Sequence, residues 1–185
     1  TGLSGQVVTA TAVADLNPDG YMDLLSGTPE GGLRLLANKR GRTFAPLDLG
    51  GQGQTAIAAL RPADLDNDGD LDLVATRPDG LELWRNTGGK LEAVAYRPPL
   101  TTAPRQVLVD DLDGDGRLDL WADGEVLGNT TQGGNSIRVR LAGLNSSSQG
   151  FGAKIEVRTA SGQQKSEVGG ASHDPPILAG LNSSS

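Results

Sequence analysis

Three short acidic runs carry the residues of this chain that could do chemistry. The first places Asp15, Asn17, Asp19 and Asp23 around Gly20. The second places Asp64, Asp66, Asp68 and Asp72 around Gly69. The third places Asp111, Asp113, Asp115 and Asp119 around Gly116. Each run thus has an oxygen-bearing side chain at positions 1, 3, 5 and 9 and glycine at position 6, with Leu24, Leu73 or Leu120 directly after. Carboxylates this dense repel one another unless a cation sits among them, and hard oxygen ligands at this spacing suit calcium. Alternate residues turn their side chains into one concavity as the chain curls, and glycine at position 6 permits the sharp turn. Position 7 (Tyr21, Asp70 or Arg117) would add its backbone carbonyl, so unlike side chains are tolerated there.

An EF-hand needs Glu at position 12 and a helix on either side. Position 12 is Ser26, Ala75 and Ala122, and the flanks are short Val- and Leu-rich runs such as Val7–Val13 and Leu71–Thr76, which predict strands. The loops therefore join strands. Charge agrees with a metal. Thirteen of the 23 acids, Asp70 and Asp110 among them, lie in or beside the loops, and three divalent ions would move the formal net charge from −7 to −1.

The loops begin at 15, 64 and 111, a spacing that points to propeller blades or a related array. Around them the pattern recurs. Strands are predicted at Met22–Gly27, Leu33–Asn38 and Thr43–Leu49, again at Leu71–Thr76, Leu81–Asn86 and Leu91–Tyr96, and in shortened form at Leu118–Ala122 and Glu125–Asn129. Four short antiparallel strands per repeat is the blade pattern. These loops and this strand order resemble the FG-GAP, or VCBS-type, repeats of integrin-α-like propellers over residues 5–131. The resemblance implies calcium at the twelve loop side chains, about three sites in all. Asn17 lowers the charge of the first site, which is expected to be the weakest. The fold class expected is all-β, with four-stranded antiparallel blades in an incomplete set (1–52, 53–103, 104–131) and a small C-terminal β domain (135–185). Two full units and a shortened third are fewer than the four to eight blades of a closed propeller. The expectation is a piece of a longer protein, copies that complete one another, or an open stack whose strand edges invite pairing.

After Gly134 the pattern changes. Strands are predicted at Asn135–Leu141, Gly152–Thr159 and Gln164–Val168. Ile137–Leu141, Gly150–Lys154 and Glu167–Ser172 resemble the ASPIC/UnbV domain of the cartilage-acidic-protein type. That family ends on an aromatic-Gly-Leu-Gly segment. This chain has Leu178–Leu181 instead, a departure that leaves the family's final strand open here. Leu141–Ser148 recurs letter for letter as Leu178–Ser185, which reads as a local duplication, a scar, or a segment that occupies equivalent places in an assembly.

Aromatics are only 3% of the chain, so Leu, Val and Ala must build the core around Trp84 and Trp121. Cysteine is absent, which leaves bound calcium as the staple expected of a secreted chain. No run of 18 apolar residues predicts a membrane span. No signal peptide is visible, which fits a mature chain. Asn129, Asn145 and Asn182 open sequons and are candidate glycosylation sites. His173 is the lone histidine, and Ser172 and Asp174 adjoin it. Neighbours on an extended segment point to opposite sides, which argues against a triad. Zinc ligands, a phosphate-cradling loop, and the basic stripe and aromatic platform of a nucleic-acid binder are absent. The sequence thus predicts a secreted, non-enzymatic calcium-binding building block that self-associates through strand edges. The alternative is an adhesion module for an extracellular protein or glycan, with a hydrolase as a remote third reading.

Overall fold

The structure is a computed structural model. It describes residues 7–40, 43–50, 55–95, 98, 100, 104–139, 141, 150, 152–158, 163–168 and 177–181. Among these, every regular element is a strand. The first sheet runs β1 (Ala10–Ala14), β2 (Asp23–Gly27), β3 (Leu33–Lys39), β4 (Thr43–Gly50), in that order and antiparallel throughout. The second repeats it with β5 (Ala59–Ala63), β6 (Asp72–Arg77), β7 (Gly80–Thr87) and β8 (Lys90–Ala93). The third has three strands, β9 (Val107–Asp110), β10 (Asp119–Ala122) and β11 (Glu125–Leu127), with β10 central. These are partial propeller blades, as the repeat predicts, and among the described residues no closed barrel forms. The strand predicted at Leu91–Tyr96 is shorter, β8 ending at Ala93.

The sheets stack face on face because their central strands β2, β6 and β10 carry apolar residues on both sides. In β6 all six residues are buried, the mark of a strand covered by a layer on either side. One face of the second sheet (Leu60, Leu73, Ala75, Trp84) packs on Leu25 and Leu35 of the first. Its other face (Val74, Leu81, with Leu65 and Leu83) packs on Val107, Leu120 and Ala122 of the third. Leu25, Leu73 and Val74 are wholly buried, each side chain contributing roughly 1.5–3 kcal/mol relative to exposure. Arg77, 4% exposed, ties the first two sheets together at the end of β6. Its guanidinium donates to the carbonyls of Gly31 and Thr55 and to Glu82 Oε2.

Each acidic loop joins the first strand of its sheet to the second, so the three loops lie along one edge of the stack and the β2–β3 and β6–β7 turns along the other. Beyond the sheets, β12 (Asn135–Arg138) pairs with β15 (Ile177–Leu181), and β13 (Lys154–Arg158) pairs with β14 (Gln163–Glu167). Ile155 and Val168 form a small core with Val139, Leu141, Ala153 and Val157. The strand β15 stands where the chain departs from the aromatic-Gly-Leu-Gly segment. Its ladder to β12 is made of backbone groups, which do not need that aromatic, and a register shift falls between Asn135 and Ser136.

Candidate functional site

The loops are wound around their own carboxylates. The position 1 carboxylate accepts backbone N–H bonds across the turn: Asp15 from Asp19 and Gly20 (3.1 and 2.8 Å), Asp64 from Asp68 and Gly69 (3.2 and 2.9 Å), Asp111 from Gly114 and Gly116 (2.8 and 3.2 Å). The position 5 carboxylate accepts from the amide of position 7 in every loop, at 2.9–3.0 Å. Gly20, Gly69 and Gly116 all have φ between 85° and 97°, the left-handed region in which a Cβ is disfavoured. Position 4 is left-handed at Asn67 and Gly114, whereas Pro18 in the first loop is confined to negative φ.

The ninth-position carboxylates have a second task. Asp23 accepts the amides of Leu16 and Asn38, Asp72 those of Leu65 and Asn86, and Asp119 those of Leu112 and Asn129, at 2.7–3.1 Å. Each thus ties its loop to the end of the third strand of its own sheet. The asparagine there then reaches back. Asn86 Nδ2 donates to Leu71 O in its own loop (3.0 Å) and to Leu16 O in the preceding loop (2.8 Å). Asn129 Nδ2 does the same with Leu118 O (3.0 Å) and Leu65 O (2.7 Å). Asn38 Nδ2 donates to Met22 O. The chain that follows the asparagine lies against the preceding loop as well; a Cβ on Gly133 would fall 1.8 Å from Asp66 O. Asn38 and Asn86 are functional residues that sequence reasoning missed. The visible signal was an asparagine ending the third strand of every unit.

Of the predicted ligands, the structure gathers two sets. Carboxylate oxygens of Asp64, Asp66 and Asp72 lie within 4.8 Å of one another, as do those of Asp111, Asp113 and Asp115. In the first loop Asn17 stands where those sets have a third acid, and among the described residues Asp15, Asp19 and Asp23 make no such set. Burial pushes Asp64 and Asp72 up to about 7, and neighbouring acids push the same way against backbone hydrogen bonds that lower them. Burial also raises Asp15, Asp23 and Asp68. The donors fit a hard cation. Asn17 Oδ1 and Asp66 Oδ1, both at position 3, are buried acceptors with no hydrogen-bond donor, and such an atom is costly unless a partner reaches it. Arginines border the sets. Arg85 pairs with Asp66 Oδ2 at 2.6 Å, Arg117 with Asp115 Oδ2 at 2.5 Å, and Arg138 of β12 lies 3.4 Å from Asp111 Oδ2.

Asp70 points elsewhere, its Oδ2 accepting the Gly88 amide at 2.6 Å. Asp66→Ala is therefore expected to weaken calcium binding by about tenfold or more, a loss of 1.4 kcal/mol or more. Asp68→Ala should have a smaller effect and Asp70→Ala the least. Calorimetric titration checks this order, and equal losses at Asp66 and Asp70 would remove the ligand assignment. Of the candidate glycosylation sites, Asn129 has its Nδ2 held in two hydrogen bonds and its Oδ1 accepting from Thr131, so the nitrogen a glycan would need is engaged in the repeat junction. Asn145, Asn182 and His173 lie outside the described residues.

A family model described as an FG-GAP-like repeat matches residues 15–75 and, overlapping it, 64–122. Each match runs from one acidic loop through the next, and together they take in more than half of the chain. No curated protein matches it.

Proposed function

This chain belongs to the FG-GAP-like repeat family, and from that premise we propose that it is a non-catalytic, calcium-stabilised building block of the extracellular space. It is a β-propeller-like repeat module. The observation that carries the calcium reading is the convergence of Asp64, Asp66 and Asp72, together with a buried oxygen of Asp66 that has no donor. Asp64, Asp66, Asp68 and Asp72 would hold the ion in the second loop, with Asp111, Asp113, Asp115 and Asp119 in the third and Asp15, Asn17, Asp19 and Asp23 in the first. A bound calcium would neutralise the crowded carboxylates and lock each loop between its strands. The loop acids are held by backbone amides around one concavity, an arrangement that favours ion binding over acid–base chemistry. In this reading residues 1–131 are the repeats and 135–185 an ASPIC/UnbV-like unit. Secretion accords with the family, and among the described residues no helix is long and apolar enough to cross a membrane.

Self-association is the assembly we assign to the module. Among the described residues the third sheet has three strands, with β11 at its edge where the first two sheets carry β4 and β8, and such an edge is a template for pairing. Calcium at 100 times its dissociation constant is expected to stabilise the fold by about 2.7 kcal/mol per site, or about 5–10 °C in melting temperature for a chain of this size. Unchanged melting between millimolar calcium and excess chelator would overturn the calcium reading. Light scattering then reports the assembly. Calcium-dependent particles larger than the chain support the building block, whereas a monomer at every concentration favours an adhesion module for an external protein or glycan.

A further inference from the structure

The register of the three sheets singles out one face. In the first sheet Ala12, Leu25 and Leu35 lie side by side across β1, β2 and β3. In the second the same places are held by Arg61, Val74 and Leu83. Each of these rows faces the next sheet along the stack, which buries Leu25, Leu35 and Val74 and half-buries Ala12 and Leu83, while Arg61 on β5 is exposed. Leu25 and Val74 are fully buried and Leu35 is 3% exposed. In the third sheet the same places are held by Leu108, Trp121 and Val126. There Leu108 is 58% and Val126 60% exposed, with Trp121 half-buried. Leu112, at loop position 2, is 46% exposed, whereas Leu16 at that position is 1% exposed beneath the following repeat. The C-terminal strands do not cover this face, although Arg138 of β12 lies beside Asp110 and Asp111.

The rows that do the covering are also defined. Pro62, Leu73 and Trp84 lie side by side in the second sheet, and Val109, Leu120 and Leu127 in the third. The matching row in the first sheet is Val13, Leu24 and Leu36. Leu36 is buried within the chain, Leu24 is half-buried, and Val13 is 64% exposed.

We propose that the Leu108–Trp121–Val126 face is a docking surface for a second copy of this chain, which presents the Val13–Leu24 side of its first repeat and so continues the stack head to tail. The occupant follows from continuity: the junctions between the first and second and between the second and third repeats already join these two kinds of row. The contact is heterologous, so it closes into a ring or extends into a filament. Two copies of three repeats supply six blades, within the four to eight of closed propellers. The inference rests on the building-block reading above but replaces edge pairing by face-to-face stacking as the mode of assembly.

The test is sedimentation of the full chain in millimolar calcium over rising concentration, with Leu108→Lys, Val126→Lys and Val13→Lys made separately. All three positions are exposed in the chain, and circular dichroism with a calcium titration verifies that each variant folds. The parent chain is expected to associate. Each variant alone should associate about tenfold more weakly or worse, since a lysine would be buried without a partner at the contact. A mixture of Leu108→Lys with Val13→Lys should form a species of two chains and no larger, because each variant retains the face the other lacks. Association undiminished in all three variants would overturn face-to-face docking while leaving strand-edge assembly in place. Pairing of the Val13→Lys chain with itself would overturn the head-to-tail order. A parent chain that stays monomeric at every concentration overturns both modes of assembly without touching the calcium sites.

Discussion

Asn86→Ala is expected to lower the melting temperature of the calcium-loaded protein by about 6–12 °C, the equivalent of about 3 kcal/mol. The residue has no exposed surface. Its backbone N–H bond to Asp72 Oδ1 survives the change. Its side chain serves three other groups: the carbonyls of Leu16 and Leu71 accept from Nδ2, and Oδ1 accepts the Gly89 amide at 3.0 Å. Truncation strands all three, and a buried polar group without a partner costs about 1–3 kcal/mol, less where water can reach it. Asn86→Asp is the informative companion. It has nearly the same shape and keeps the acceptor for Gly89, yet it turns a carboxylate oxygen toward two carbonyls and sits near Asp72. At neutral pH it should destabilise at least as much as alanine, and acid should relieve the loss. Fluorescence of Trp84, 3% exposed at the same junction, follows the unfolding. A loss below about 1 kcal/mol for both variants would mean that apolar packing alone joins the repeats.

The acidic loops, their period and the strands beside them could be read from the chain because each leaves a local trace. Glycine at position 6 is dictated by a left-handed backbone, and the alternation of oxygen-bearing residues by a curl of the loop. The asparagine latch leaves no such trace. Its acceptor, Leu16 O, is a backbone atom 70 residues away, and the approach of the two exists only once sheets have stacked. The double task of Asp72 was hidden for a similar reason. Its type and spacing announce a ligand, whereas its bonds to the amides of Leu65 and Asn86 depend on where β7 ends. The strand β15 stayed open in the sequence because side-chain resemblance does not decide a backbone ladder. The exposed row on the third sheet could not be seen from hydropathy either. Trp121 and Val126 are as apolar as Val74 and Leu83 at the same places in the second sheet, and only the register shows that they lack a cover.

Without calcium, the protein is expected to lose stability as the pH rises from about 5 to 8, the reverse of the usual trend for paired carboxylates. Asp64 and Asp72 are 2% and 3% exposed, and their carboxyls are pushed from 3.8 to about 7, first by burial and then by neighbouring acids. In the window between those values the folded chain keeps protons that the unfolded chain has released. Unfolding then releases protons, so raising the pH favours the unfolded state, by an amount on the order of a few kcal/mol across the window. Asp15, Asp23 and Asp68 are shifted the same way. Calcium acts against this slope, because its ligands must be ionised and its affinity therefore grows with pH. The calcium-induced rise in melting temperature should be small near pH 5 and largest, about 10 °C, near pH 8. Melting curves at both pH values, with calcium and with chelator, give the four numbers needed. If the calcium-free protein instead gains stability between about pH 5 and 8, the carboxylates of the second loop are not crowded and buried as the geometry places them. The ion would then have to be sought in the third loop, where Asp111, Asp113 and Asp115 gather.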